Sequence, residues 1–214
     1  MNPHLSILVP AYNAEKYIGR CLRSLSSQTF DGKYEIVVVN DASEDRTEYA
    51  LSQFGDSIQV LTNKSNLGLP ASLNLAMDAA QGELIVRVDS DDYVNKYFLT
   101  FLYEFLVRNG EYDAVASDYY QVDEQENVIC RSDSREDPIG CGILFRKSHV
   151  KKLGGYNKDF LRHEDKEFML RFSQRYTLGH LKVPLYRYRR HDKNMTLDSD
   201  LMRLYESKLE SGSS

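Results

Sequence analysis

Along the first half of the chain, short apolar runs alternate with longer stretches of helical period. Leu5-Ser6-Ile7-Leu8-Val9 is a compact apolar run closed by Pro10, the pattern of a buried strand. From Ala14 to Ser27 the residues Tyr17, Ile18, Cys21, Leu22 and Leu25 recur at helical spacing, with Asn13 placed as the cap. Glu35 to Val39 carries a β-branched run and predicts the second strand. A polar turn from Asn40 to Arg46 leads to a helix over 47–54, a third strand over 58–61 and a helix over 69–80 ended by Gly82. Glu83 to Val88 reads as a fourth strand running into Asp89-Ser90-Asp91-Asp92. Strands joined by helices of this length predict βαβ crossovers and a mainly parallel sheet flanked by helices. Ligands of such sheets sit beyond the carboxyl ends of the strands, where Pro10, Asp41 and Asp89 fall.

The second half is less regular. It predicts a helix over 98–107, strands over 114–122 and 141–145, an amphipathic helix over 164–175, and a strand of alternating bulky and basic residues over 183–190. No Pro-, Gly- or Ser-rich linker divides the halves, and no internal repeat is visible. The reading is a single α/β domain over 1–206, with halves of about 1–95 and 96–206. The small polar stretch 207–214 is read as an appended tail and left out of the fold.

Composition adds exclusions. At 214 residues the chain needs no staples, since a domain of about 150 residues already buries roughly 70% of its unfolded surface. Hydrophobic residues make up 42% and charged residues 28%, which excludes collagen-like and wholly disordered chains. A net charge of −5 argues against a generic polyanion binder, so no nucleic-acid partner is expected. Cys21, Cys130 and Cys141 form no CxxC pair and signal reduced thiols, neither a disulfide framework nor a zinc site. No apolar run approaches the ~20 residues of a membrane span, and a strand begins where a signal peptide would stand. The sequons Asn63-Lys64-Ser65 and Asn194-Met195-Thr196 are therefore expected to carry no glycan.

Chemistry concentrates in the carboxylates. Asp89-Ser90-Asp91-Asp92 packs three into four residues, and in an extended segment Asp89 and Asp91 share a side. Two like charges so close suit a hard divalent cation, or else a solvated acidic turn. A calcium loop fails, because Val94 and Thr100 stand where its Gly and bidentate Glu belong. Asp41, just past a strand, can accept from a base or a ribose, or simply form a turn with Asn40 and Ser43. His163-Glu164-Asp165 opens a helix, where acidic residues serve the dipole or, beside a cleft, a general base. His191 closes the basic run Arg187 to Arg190, suited to a metal or a phosphate or merely exposed. Neither GxGxxG after a strand nor GxxxxGK[ST] occurs, which takes most of the weight from dehydrogenase and P-loop readings.

Taken in order, these segments resemble family 2 of the inverting glycosyltransferases, from Leu5 to about Thr196, which implies the GT-A fold: a Rossmann-like, mainly parallel sheet flanked by helices, with a smaller mixed acceptor-side sheet. Ser6 to Asn13 is similar to the family's first strand and nucleotide turn, and Val38 to Thr47 to its second motif. Asn40 departs from the pattern, because many members carry Asp there, so Asp41 becomes the base contact. Asn66-Leu67-Gly68 through Asn74 resembles the following segment, and Ile85 to Asp92 the DXD region. Gly140 to Arg146 with Gly154-Gly155-Tyr156 resembles the acceptor side, His163-Glu164-Asp165 the Glu-Asp pair, and Tyr188-Arg189-Arg190-His191 the late motif.

The resemblance implies nucleotide contacts from Pro10, Ala11, Tyr12, Asn13, Asp41, Asn66, Asn74, Arg87, Asp89 and Ser90. It further implies Mn²⁺ or Mg²⁺ on Asp91 and His191, phosphate contacts from Arg189 and Arg190, an acceptor contact from Glu164, and Asp165 as base. The expected donor is a UDP-sugar and the acceptor a glycan or lipid-linked hydroxyl in bacterial polysaccharide assembly. The expected location is the cytoplasm, with peripheral attachment to the inner membrane face in a longer chain. Two rival readings are a nucleotide- or glycan-binding module without turnover and a nucleotidyltransferase. The latter expects a Gly-rich loop where Pro10 to Asn13 stands.

Overall fold

The computed structural model describes residues 3–192 and 205–209. The sequon at 194–196 and the tail residues 210–214 lie outside that range. Four parallel strands lie first along the chain: β1 (Leu5–Ala11), β2 (Tyr34–Asn40), β3 (Gln59–Thr62) and β4 (Leu84–Arg87). They stand in the order β3-β2-β1-β4. The chain moves outward from β1 through β2 to β3, then returns to place β4 on the other side of β1. By the rule for such sheets, this reversal puts the ligand crevice beyond the carboxyl ends of β1 and β4.

The alternation of side chains explains the layers. Leu5, Ile7 and Val9 face one side of the sheet, where α1 (Ile18–Ser26) buries Ile18, Cys21, Leu22 and Leu25 completely. Leu8, Val37 and Val39 face the other side, against Leu73, Ala76 and Met77 of α3 (Leu69–Ala79), the helix that follows the short α2 (Thr47–Ser52). Fully burying a Leu or Ile is worth roughly 1.5–3 kcal/mol, so these two faces hold the register firmly.

The second half adds strands to the same sheet. β5 (Tyr93–Val94), α4 (Phe98–Arg108), β6 (Ala114–Val122), β7 (Val128–Ser132), β8 (Ile143–Arg146), α5 (Lys147–Lys152), α6 (Glu164–Ser173) and β9 (Leu178–Arg189) follow. β8 joins β4 antiparallel, β6 lies antiparallel to β8 and parallel to β9, and β5 and β7 are antiparallel to β9 and β6. The mixed acceptor-side strands expected from the sequence thus continue the parallel ones edge to edge, giving one nine-stranded sheet. Phe168 and Phe172 anchor α6 on Phe145 of β8.

Several boundaries differ from the sequence reading. β1 runs through Pro10 to Ala11 instead of ending there. Its pairing with β4 stops at Leu8, so the missing Pro10 N–H faces a side where no ladder remains. The first helix starts at Ile18, not Ala14, because the amides of residues 13–15 are taken by another loop, and Asn13 does not cap it. β9 begins at Leu178, five residues before the predicted start, pairing with β6 from Ala114 onward. β5, β7 and α5 were not expected from the pattern.

Candidate functional site

Four loops leave the carboxyl edge of the parallel strands. The loop after β1 and the loop after β2 hold each other through polar contacts. Asn13 N–H donates to Ser43 Oγ at 3.0 Å, Asn13 Oδ1 accepts from Glu44 N–H at 2.8 Å, and Ala14 N–H donates to Thr47 Oγ1 at 2.8 Å. Asn13, Ala42 and His163 all have positive φ, at 49°, 57° and 57°. An Ala or His in that region costs on the order of 1 kcal/mol or more, and such strain gathers where loop shape matters. Pro10 and Ala11 are buried strand residues, whereas Tyr12 is 46% exposed at the mouth of the crevice.

Asp41 is buried, and its carboxylate accepts from Asn63 Nδ2 at 2.7 Å and from the backbone N–H groups of Leu67 and Gly68, each at 2.9 Å. It therefore fixes the 63–68 loop, and any base contact must share oxygens already engaged there. Exposed Asn66 stays local, accepting from Gly68 N–H at 3.0 Å. Asn74 is a clamp. Its amide donates to Tyr156 O at 2.8 Å and accepts from Tyr156 N–H at 2.9 Å, so both ends of the side chain are spent on the Gly155-Tyr156 turn. A nucleotide contact from Asn74, as the resemblance implies, would have to share these atoms.

The DXD segment is a turn rather than an extended stretch. Asp92 N–H donates to Asp89 O at 3.1 Å, which separates the three carboxylates into different surroundings. Asp89 is paired with Arg87 through Nε–Oδ1 at 2.6 Å and Nη2–Oδ2 at 3.0 Å. Asp92 is buried; it accepts from Tyr186 Oη at 2.7 Å and from Arg189 N–H at 2.7 Å, with the Cys141 thiol 3.8 Å away. Burial and the neighbouring Asp91 and Asp89 push the Asp92 carboxyl well above the usual carboxylate range. Asp91 keeps 30% of its side chain exposed, and its Oδ2 lies 2.9 Å from His191 Nε2. Partly buried Ser90 lies between the two outer carboxylates.

These surroundings sort the candidate metal ligands. Asp89, Asp92 and Cys141 have ligand atoms within 4.8 Å of one another. Arg87 already neutralises Asp89, and Asp92 is locked from behind, so that trio makes a poor cation site. Asp91 with His191 offers a partly exposed carboxylate oxygen and an imidazole nitrogen side by side, which suit Mn²⁺ or Mg²⁺. The His191 ring stacks on Tyr17 with centroids 5.0 Å apart, which fixes its plane.

The basic pair divides. The Arg189 guanidinium is buried: Nε donates to Asp91 O at 2.9 Å, Nη1 reaches Glu124 O at 3.2 Å, and Nη2 pairs with Glu126 at 3.1 Å. It ties the tip of the β6–β7 hairpin to the DXD turn, and a phosphate contact, as the resemblance implies, would have to share donors already engaged there. Arg190 is exposed and retains that option.

At the start of α6, Glu164 is buried and pairs with Arg87 Nη1 at 2.9 Å. Burial raises its carboxyl above the ordinary value, against the pull of Arg87. Both side chains are engaged in this buried link, so the acceptor contact expected of Glu164 and the nucleotide contact expected of Arg87 would have to share atoms already paired. Asp165, partly buried, sits one residue on, in the first helical turn. Gly140 backs it: a Cβ there would come within 2.5 Å of Asp165 Cβ. Tyr186 was not singled out from the sequence, and Tyr17, Asn63 and Gly140 were read there only as a helix-face residue, a sequon residue and the start of the acceptor-side segment. The alternation Tyr186-Arg187-Tyr188-Arg189 was the available signal for the first, because in a strand it sends Tyr186 to the face opposite Arg187.

The family model for glycosyl transferase family 2 matches residues 6–152. An uncharacterized glycosyltransferase of Haemophilus influenzae is 28% identical over 214 residues, covering 88% of this chain and 66% of its own length. The chain thus spans just under two thirds of that relative. The poly(ribitol-phosphate) β-N-acetylglucosaminyltransferase TarS of Staphylococcus aureus is 41% identical over 97 residues, 42% of this chain and 17% of TarS. Among solved structures, S. aureus TarS 1-349 in complex with UDP superposes with a TM-score of 0.76 at 24% identity, covering 95% of this chain and 65% of that one. The mannosyltransferase PcManGT from Pyrobaculum calidifontis, in complex with GDP-Man and Mn²⁺, gives a TM-score of 0.71 at 18% identity over 91% of this chain and 59% of that one. Those likenesses establish the GT-A fold. With the family model covering more than half of its length, the chain belongs to glycosyl transferase family 2.

Proposed function

We propose that the chain is an inverting glycosyltransferase that moves a sugar from a UDP-sugar to a hydroxyl of a glycan or lipid-linked acceptor. The observation that carries this is the Asp91–His191 pair, 2.9 Å apart beyond the carboxyl end of β4, in the turn that Arg87 links to the Asp165-bearing helix. The donor class is supported by the family and by the UDP held in the TarS structure. Asp91 and His191 would hold Mn²⁺ or Mg²⁺, which when bound supplies positive charge for the diphosphate. Arg190, exposed beside His191, adds a guanidinium for the same oxygens.

Asp165 serves as base. It takes the proton of the acceptor hydroxyl while that oxygen bonds to the anomeric carbon, and the bond to the diphosphate breaks on the opposite face. One base and one displacement invert the centre, and such general-base help is worth typically 10²–10⁴-fold in rate. Tyr12 at the mouth presents an exposed ring for a base to stack on. No described helix is long and apolar enough to cross a membrane.

Thermal unfolding with UDP, with Mn²⁺ and with both tests the donor site, on the native chain and on Asp91→Asn. A ligand bound only by the folded state at about 100 times its dissociation constant adds roughly 2.7 kcal/mol. UDP stabilisation that grows with Mn²⁺, and loses that increment in Asp91→Asn, is the expected result. A shift with GDP and none with UDP overturns the donor assignment, and no shift with any nucleotide overturns the transferase reading.

A further inference from the structure

Arg87 is the last residue of β4 and Glu164 the first of α6, and 77 positions of sequence separate them. Both are almost wholly buried, with 7% of each side chain exposed. One guanidinium reaches two carboxylates: Nη1 lies 2.9 Å from Glu164 Oε1, while Nε and Nη2 grip Asp89 at 2.6 and 3.0 Å. Only arginine does this, because its planar fork presents several donors in fixed directions and a lysine offers a single point charge. The carbonyl of Arg87 also accepts from Gly142 N–H at 2.8 Å, so the acceptor-side loop is tied to the same residue. Asp165 follows Glu164 directly, and Gly140 presses against its far side.

We propose that Glu164 and Arg87 are positioning residues that set the distance between the base-bearing end of α6 and the donor-side turn at Asp89. This rests on the glycosyl-transfer reading above. Both side chains are almost wholly buried and spent on one another and on Asp89, so their effect reaches the chemistry through Asp165 and Asp89. A displacement of about 1 Å in a reacting group costs on the order of 100-fold, the scale on which this link operates.

The experiment compares the native chain with Glu164→Gln, Arg87→Lys and the double variant. The readouts are UDP release from a panel of UDP-sugars with Mn²⁺, and the melting shift induced by UDP with Mn²⁺. Glu164→Gln keeps shape and an acceptor oxygen, and Arg87→Lys keeps the charge, so both preserve the buried site. The expected result is a 10- to 100-fold fall in kcat for each variant, with donor KM and the UDP–Mn²⁺ melting shift within about twofold of native. The double variant loses no more than Arg87→Lys alone, because the two residues act through one contact. A kcat within twofold of native in Glu164→Gln, a loss confined to donor KM, or fully additive losses each overturn the positioning role. A native chain that shows neither a UDP–Mn²⁺ shift nor UDP release overturns the transfer reading itself, and the proposal falls with it. Native turnover with unaffected variants overturns the proposal alone.

Discussion

Replacing Tyr186 by Phe isolates one hydroxyl at the back of the DXD turn. That oxygen donates to Asp92 Oδ2 at 2.7 Å and accepts from Asp89 N–H at 3.1 Å, so it stitches the first and last residues of the turn together. The ring is fully buried, stacked at a tilt on Phe98 with centroids 6.1 Å apart and touching Gly142 from below. Phe preserves all of that packing. A hydrogen bond contributes about 0.5–1.5 kcal/mol, and here removal also leaves the partly buried Asp89 amide without its acceptor, a further cost of about 1–3 kcal/mol. The expected loss is therefore about 2–3 kcal/mol of unfolding free energy, or roughly 4–10 °C in Tm for a chain of this length. Asp92 keeps the Arg189 N–H, so the turn loosens without collapsing. Urea titration should show a lower midpoint at unchanged slope. The melting increment that Mn²⁺ adds to UDP should shrink, since Asp91 rides on the same turn. A stability within 0.5 kcal/mol of native, with a full Mn²⁺ increment, would refute the idea that this hydroxyl holds the metal-binding carboxylate in place.

Three further outcomes follow from the same contacts. Gly140→Ala should keep the fold yet lower kcat at least tenfold, because the added methyl would meet Asp165 Cβ at 2.5 Å and must displace the base; unchanged turnover would remove Gly140 from the site. Asn74→Ala should cost about 2 kcal/mol in urea denaturation, as two backbone groups of Tyr156 lose their partners; native-like stability would show that water replaces them without loss. For Asp118, burial alone would raise the carboxyl, but hydrogen bonds from Arg131 and His180 outweigh it and hold it below the ordinary range. A carboxyl lower in the folded than the unfolded state binds fewer protons when folded. Its stabilisation is present above about pH 4 and fades as pH falls through the folded value. Asp118→Asn should flatten the acid limb of the stability–pH curve below about pH 5, and an unaltered limb would count against the assignment.

The parallel half of the fold was legible chiefly because three of its strands carry a burial signal: the apolar runs of β1, β2 and β4 match the strands to within a residue or two, Pro10 apart, while the mostly exposed β3 still shows a short apolar run at 58–61. What escaped has little burial to signal it. β7 exposes Val128, Ile129 and Cys130 on an edge, and β5 is two residues long. α5, with the sequence Lys-Ser-His-Val-Lys-Lys, buries only Val150. The first helix was misplaced at its start for a tertiary reason. Residues 13–15 have helical composition but spend their amides on Ser43, Thr47 and Asp45, contacts that no local pattern encodes.

The site was legible as a set of residue types and illegible as a division of labour. Three aspartates in four residues announce a charged turn, but alternation in an extended strand pairs Asp89 with Asp91, and the turn undoes that pairing. What decides each carboxylate's role is its distant partner: Arg87 and through it Glu164 for Asp89, His191 for Asp91, Tyr186 and the Arg189 amide for Asp92. The same logic gives Asn74, Arg189 and Glu164 partners within the protein at positions where the motifs imply ligand contacts. Loops that carry polar chemistry have little apolar surface of their own to hold them, so buried polar groups must do it, and each must be paired to be tolerated in the interior. A family motif read along the chain therefore mixes residues that meet the ligand with residues that meet one another. Separating them requires the second set of partners, which lie 70 to 100 positions away in this chain.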